Sequence, residues 1–257
     1  MGCYATSESG AWIEMRQLIA GAGKLGIELD ASQVEQFELY YQELIEWNTR
    51  INLTAITDYH AVQIKHFLDS LTIALALSAK EVTKPDFSIV DVGTGAGFPG
   101  LPLKMLFPQP RLVLLESTAK KIAFLQHIIR RLELENVEVV NSRAEEAARL
   151  PLYREQFALV LSRAVALLPT LVELTLPFCR VSGRCVVQKK GEVEQEVSRA
   201  KVAISALGGE LNETRRIELE EFSDARYLVV IDKIRPTPDR YPRRAGLPKR
   251  RPIWEVK

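Results

Sequence analysis

The chain is poor in the residues that carry metal and disulfide chemistry. Three cysteines, Cys3, Cys179 and Cys185, stand among 257 residues. They give no even set for a disulfide framework and no Cys-x-x-Cys for zinc. Three histidines, His60, His66 and His127, form no His-Glu-x-x-His pair. A reducing, cytoplasmic setting and a reaction without metal are expected. Long apolar runs are missing too. The longest, 71–79, is too short to span a bilayer, and no basic-flanked apolar signal opens the chain, so no membrane partner is expected. There is no internal repeat and no low-complexity tract. Hydrophobic content of 47% and charged content of 26% exclude disordered and fibrous classes.

What is present begins with a hidden charge asymmetry. Lys and Arg number 34 against 33 Asp and Glu. From Arg235 to Lys257, however, eight basic residues face two acidic ones, so the tail carries +6 and the remainder −5. The first 80 residues hold five basic and ten acidic residues. An acidic body with a basic tail suggests an anionic partner near the C-terminus, against the plainer reading of a solvated, frayed end.

Periodicity divides the rest. Residues 11–24 and 31–49 read as amphipathic helices, the second with Val34, Phe37, Tyr41, Leu44 and Ile45 on one face and Ser32 to Glu35 as a capping-box candidate. A third helical pattern covers 59–79, and 80–86 reads as a linker. Short β-rich runs follow at 88–92, 112–115, 137–140, 158–161 and 184–188. Helical stretches alternate with them at about 98–107, 118–133, 144–149, 167–180 and 191–207. That order predicts an α/β fold with a doubly wound, mostly parallel sheet. Two further runs, about 210–219 and 227–234, have no helix between them and predict a terminal antiparallel hairpin. The expected organisation is a helical N-terminal region (1–84), a nucleotide-binding domain (85–235) and a basic tail (236–257).

The segment from Asp91 to Gly100 lies between the first strand and its helix. Glycines there allow positive φ and let a ligand approach bare backbone, while the helix N-terminus offers unpaired N–H groups. Gly95-Ala96-Gly97-Phe98-Pro99-Gly100 matches the dinucleotide fingerprint. The overlapping Gly93-x-Gly95-x-Gly97 after Asp91 matches the loop of S-adenosylmethionine (SAM) methyltransferases equally well. Glu116, ending the second strand, suits ribose hydroxyls in either case. The loop alone therefore leaves an NAD-dependent oxidoreductase open. The terminal hairpin favours SAM, as does the absence of a lysine four residues after any tyrosine. The acidic edge of Asp91, Glu116 and Glu145 suits a sulfonium cation that bears no phosphate.

Absences narrow the acceptor atom. No Pro-Pro follows the fourth strand, as in adenine-amino methyltransferases, and no Pro-Cys nucleophile is present, as in cytosine-C5 enzymes. The strand ends instead in Ser162-Arg163-Ala164. An acceptor that is already nucleophilic, such as a ring nitrogen, needs neither base nor covalent step, and positioning does the work.

Several segments together resemble one family, the ribosomal RNA small subunit methyltransferase G family (RsmG, also GidB). They are Glu46 to Thr54, His66 to Ser70, the loop from Asp91 to Pro102, and Leu114-Leu115-Glu116-Ser117. Lys120-Lys121, Phe124-Leu125, Ser142-Arg143-Ala144-Glu145, Ser162 to Ala166, Lys190-Gly191 and Tyr241 to Pro248 complete the set, spanning about residues 30–252. The resemblance implies methyl transfer from SAM to N7 of a guanine in 16S rRNA of the small ribosomal subunit, in a class I (Rossmann-like) fold with no catalytic base. It implies that Gly93, Gly95 and Phe98 meet the cofactor, that Glu116, Ser117 and Thr118 hold the ribose and adenosine side, and that Ala144 and Glu145 contact the adenine. Arg163 is implied as a cofactor-site arginine, here read as a partner for the cofactor carboxylate or an RNA phosphate. The basic residues Arg243, Arg244, Lys249, Arg250 and Arg251 would contact rRNA phosphates. The protein is expected to act as a monomer. A catalytically silent RNA-binding or ribosome-assembly factor on the same fold is the remaining alternative.

Overall fold

A computed structural model describes residues 15–163 and 166–254. The first fourteen residues, which include an acylation-like pattern at Met1 to Thr6, lie outside the described residues.

The helical region opens with α1 (Arg16–Lys24) and α2 (Ala31–Asn48). The first backbone N–H groups of a helix lack partners within it. In α1, those of Gln17 and Leu18 donate to the Gln63 side chain at 3.1 and 3.2 Å, which ties the helix to a distant segment. The capping box of α2 sits two residues earlier than the sequence reading. Asp30 accepts from Gln33 N, and the Gln33 side chain accepts from Asp30 N. The third helical stretch is composite: α3 (Tyr59–Val62), a π-helical turn over Gln63–Leu68, α4 (Asp69–Leu71) and a 3₁₀ turn over Thr72–Ala76. The expected linker holds a short helix, α5 (Ala79–Val82), with Ser78 and Glu81 as its capping box.

β1 (Ser88–Val92), α6 (Gly100–Leu106), β2 (Arg111–Glu116), α7 (Ala119–Arg131), β3 (Val137–Asn141), α8 (Ala144–Ala147), β4 (Phe157–Ser162) and α9 (Leu168–Thr175) follow in alternation. β5 (Cys179–Lys190), α10 (Glu194–Ala206), β6 (Gly209–Ile217), β7 (Arg226–Lys233) and a short α11 (Leu247–Arg250) complete the chain. The described strands form one sheet in the order β3-β2-β1-β4-β5-β7-β6, parallel except for β7, which runs antiparallel to both neighbours. This is the doubly wound sheet with a terminal hairpin that the sequence predicts. β5 begins earlier than expected. Phe157 pairs with Cys179 but Leu159 with Arg184, so extra residues bulge out around Ser182, whose φ is +67°.

Alternation sorts the strand side chains onto two faces. Ile89, Leu114, Leu161, Val186 and Leu228 share a core with α1, α2 and α7. Val90, Val92, Leu115, Val187 and Val229 pack with α9, α10 and two tail residues, Tyr241 and Ile253. The tail is thus docked on the sheet's second layer rather than frayed. Arg154 donates to the carbonyls of Tyr241 and Thr237 at 2.9 and 2.8 Å, and Arg149 to that of Pro242 at 2.5 Å. Because β1 and β4 are neighbours whose connections run to opposite sides, their carboxyl ends form the crevice where such sheets bind ligands.

Candidate active site

The glycine loop fills that crevice. Gly93 N donates to Leu115 O at 2.9 Å, and Gly95 N to the Glu116 carboxylate at 3.0 Å. The second Glu116 oxygen accepts from Thr118 N at 2.9 Å. One side chain, 7% exposed, therefore links the loop to the start of α7. Gly93 and Gly95 have φ of +75° and +64°, and a Cβ at either would meet nothing within 4 Å, so bare backbone faces open space. Gly97 is different. At φ +98° its Cβ would lie 2.5 Å from the Tyr40 hydroxyl, which itself donates to Ala96 O. Helix α2 thus clamps the loop from behind.

Asp91 lies beneath the loop, fully buried. One oxygen accepts from both Thr94 Oγ1 (2.6 Å) and Gly100 N (2.9 Å). The other, Oδ1, is buried with no hydrogen bond from any described residue. Burial pushes its carboxyl up to about 6, against the pull of these two donors and of Arg163.

Of the residues singled out from sequence, Gly93, Glu116, Ser117, Ala144 and Glu145 line one cleft of about 210 Å³. Ser142, Arg143, Ser162, Leu171 and Leu174 join them; the first three fall in segments that carry the family resemblance, while Leu171 and Leu174 have no sequence signal beyond their place on α9. Gly95 and Thr118 reach the cleft through Glu116. Phe98 is 5% exposed and stacked between Tyr40 and His66, with ring centroids 5.2 and 4.7 Å away.

Arg163 lies over Phe98, 5.1 Å from the ring centroid, and lines a second cavity of about 510 Å³. Its guanidinium donates to Asp69 Oδ2 (3.2 Å), Lys65 O (3.3 Å) and His66 O (3.4 Å), so it pins the end of β4 to the π-helical turn. It also donates to His66 Nδ1 at 3.3 Å. Since arginine only donates, Nδ1 is the unprotonated nitrogen, and Nε2–H donates to Thr54 Oγ1 at 2.8 Å. Burial and Arg163 lower His66 to about 3. It stays neutral, with both ring nitrogens committed.

The tail cations divide. Arg243 donates to both oxygens of Glu173, which is wholly buried, at 2.6–3.1 Å. It is spent on the fold, contrary to its sequence reading as a phosphate contact. Arg244, Lys249, Arg250 and Arg251 are exposed. Gly246 N donates to Glu145 Oε1 at 2.8 Å, which brings the tail to the rim of the first cleft. Among the described residues no group of His, Cys, Asp and Glu is placed to hold a metal, and no helix is long and apolar enough to cross a membrane.

A family model described as rRNA small subunit methyltransferase G matches residues 33–222. Curated proteins named ribosomal RNA small subunit methyltransferase G are similar over most of their length. The one from Dehalococcoides mccartyi strain CBDB1 is 52% identical over 239 residues, covering 93% of this chain and all of that protein. Those of Roseiflexus castenholzii and Lachnoclostridium phytofermentans are 47% and 44% identical, again over 93% of this chain and over 100% and 97% of theirs.

Proposed function

The chain belongs to the rRNA small subunit methyltransferase G family, and we propose that it methylates N7 of a guanine in 16S rRNA of the small ribosomal subunit. Its cofactor is S-adenosylmethionine. The observation that carries the reading is the acidic glycine-loop cleft together with a larger cavity whose lining holds Lys65, Lys189, Lys190, Arg163 and Arg226 against two carboxylates, Asp69 and Asp224, with Arg163 at the end of β4. One site suits a cationic cofactor and the other an anionic nucleic acid.

The residues fit the cofactor. The unpartnered Asp91 Oδ1 and the Glu116 carboxylate place negative charge behind and beside a loop that lacks Cβ atoms at Gly93 and Gly95. In this reading Gly93, Gly95, Glu116, Ser117 and Thr118 hold the amino-acid and ribose parts, with Phe98 as the rigid backing of the loop. Ala144 and Glu145 hold the adenine. Arg163 fixes the wall between cofactor and acceptor. When bound, the cofactor supplies an electrophilic methyl group on a sulfonium. Guanine N7 has a free lone pair and loses no proton on methylation, so the protein needs to orient and to exclude water rather than to abstract a proton. The division into a helical region (1–84), a methyltransferase domain (85–235) and a basic tail (236–257) belongs to the same proposal, as do a monomeric state and a cytoplasmic location.

A pH titration tests the electrostatic part. With Asp91 near 6, the carboxylate is charged at pH 7 and mostly protonated at pH 5. SAM affinity should fall about tenfold between these values as the negative charge is lost. Asp91→Asn keeps an oxygen for Thr94 and Gly100, which bond the same atom. Its affinity should be uniformly low and flat with pH. Isothermal titration at both pH values checks this, and a wild-type profile without a step near 6 would refute it.

For the tail, Arg244, Lys249 and Arg250 would meet rRNA phosphates. Replacing all three by alanine should reduce the slope of log K against log salt by about 2–3 units. An unchanged slope in filter binding would show that the tail does not touch RNA.

A further inference from the structure

We infer that the C-terminal strap is part of the cofactor cleft: Gly246 is a positioning residue whose N–H aims the Glu145 carboxylate at the 6-amino group of the cofactor's adenine. The inference rests on the reading above that sets the adenine against Ala144 and Glu145. Glu145 stands on α8, lines the 210 Å³ cleft and is 9% exposed. Its Oε1 accepts from Gly246 N at 2.8 Å. Its Oε2 accepts from no described residue, yet it is not among the side-chain atoms sealed from solvent. One oxygen is therefore held by the strap while the other stays accessible.

Gly246 is itself fixed by α9. Before it in the chain, Arg243 meets both oxygens of the buried Glu173. After it, Pro248 O accepts from the buried Thr170 Oγ1 at 3.1 Å. Both anchors belong to α9, which also supplies Leu171 and Leu174 to the cleft. The strap thus ties the Glu145 side chain of α8 to α9, and two walls of the cleft are held in one arrangement. At Gly246 φ is +80°, and a Cβ there would meet nothing within 4 Å. Glycine serves the backbone turn that presents the N–H to Glu145, and space around it is not limiting.

With N9 bonded to the ribose, the 6-amino group is the only N–H donor that adenine presents, and a carboxylate only accepts. Glu145 and adenine can therefore meet in a single way. A free glutamate side chain loses several torsional freedoms when it takes up a ligand, and the bond from Gly246 removes much of that cost beforehand. The strap acts by pre-organisation, and its loss is read in the recognition of the adenine.

The test titrates full-length protein with SAM and with the analogue that carries purine, which lacks the 6-amino group, in place of adenine. Wild type should prefer SAM by about tenfold or more. Gly246→Val, whose branched side chain disfavours positive φ, should bind SAM about tenfold more weakly and the analogue about as tightly as wild type does. Gly246→Asn tolerates that backbone and should keep most of the preference. Combining Gly246→Val with Glu145→Ala should weaken SAM binding no more than about twofold beyond either change alone. Should Gly246→Val fail to fold, Thr170→Val decides, since it frees Pro248 O and should lower the preference about threefold. An undiminished preference in the folded variant, or an equal loss of both ligands, would overturn the inference, as would a wild type that binds both equally. A wild type that binds neither would instead remove the reading of the cleft, and this inference with it.

Discussion

Glu116→Ala is expected to weaken SAM binding by about 10²–10⁴-fold, with a matching loss of methyl transfer. The carboxylate accepts from Gly95 N and Thr118 N while 7% exposed, so truncation unties the glycine loop from the start of α7. It also removes the acceptors for ribose hydroxyls at the end of β2. Hydrogen bonds to a charged group contribute about 1.5–3 kcal/mol each, and losing two sets the size of the effect. The fold should survive, because β2 is held by its ladders to β1 and β3. Calorimetric titration with SAM, beside circular dichroism of the variant, is the check. A folded variant with wild-type affinity would remove Glu116 from the site.

Arg243→Ala should cost about 3–5 kcal/mol of stability, because it leaves a buried carboxylate without its counter-charge. Glu173 is fully buried in α9, and the guanidinium of Arg243 meets both of its oxygens. The same pair holds Arg243 firmly protonated, its guanidinium raised above the usual arginine value by the hydrogen bonds to Glu173. Truncation would also free the strap that carries Gly246 onto Glu145. Urea denaturation should show the loss in the midpoint. Adding Glu173→Gln, which removes the stranded charge and keeps an acceptor for Arg243 N, should recover most of it. A midpoint within about 0.5 kcal/mol of wild type for the single variant would show that the tail is not anchored there.

The sequence carried the sheet because its signals are local. Apolar runs at 88–92 and 158–161 bounded by turns mark buried parallel strands, and the missing helix before 227 marks the antiparallel return. Asp30-x-x-Gln33 and Ser32-x-x-Glu35 satisfy the same capping-box pattern, and the extended backbone at Asp30 is what selects the first. The start of β5 was hidden because a bulge at Ser182 interrupts the alternation. At the site, the glycine loop and Glu116 were legible from spacing along one βαβ unit. The partners of Arg163 were not, since Asp69 lies 94 residues away at the start of α4, just after a π-helical turn that keeps an ordinary helical pattern. Nor could composition separate Arg243 from Arg244: one turns to Glu173 and the other to solvent, a distinction made by packing 70 residues apart.

The central claim is tested most directly by incubating the protein with methyl-labelled SAM and bacterial small subunits that lack the modification, followed by nucleoside analysis. Label in 7-methylguanosine is the expected result, and it would establish cofactor, reaction and acceptor atom together. Label in any other nucleoside would contradict the N7 assignment, and SAM binding without any label would contradict catalysis on this substrate.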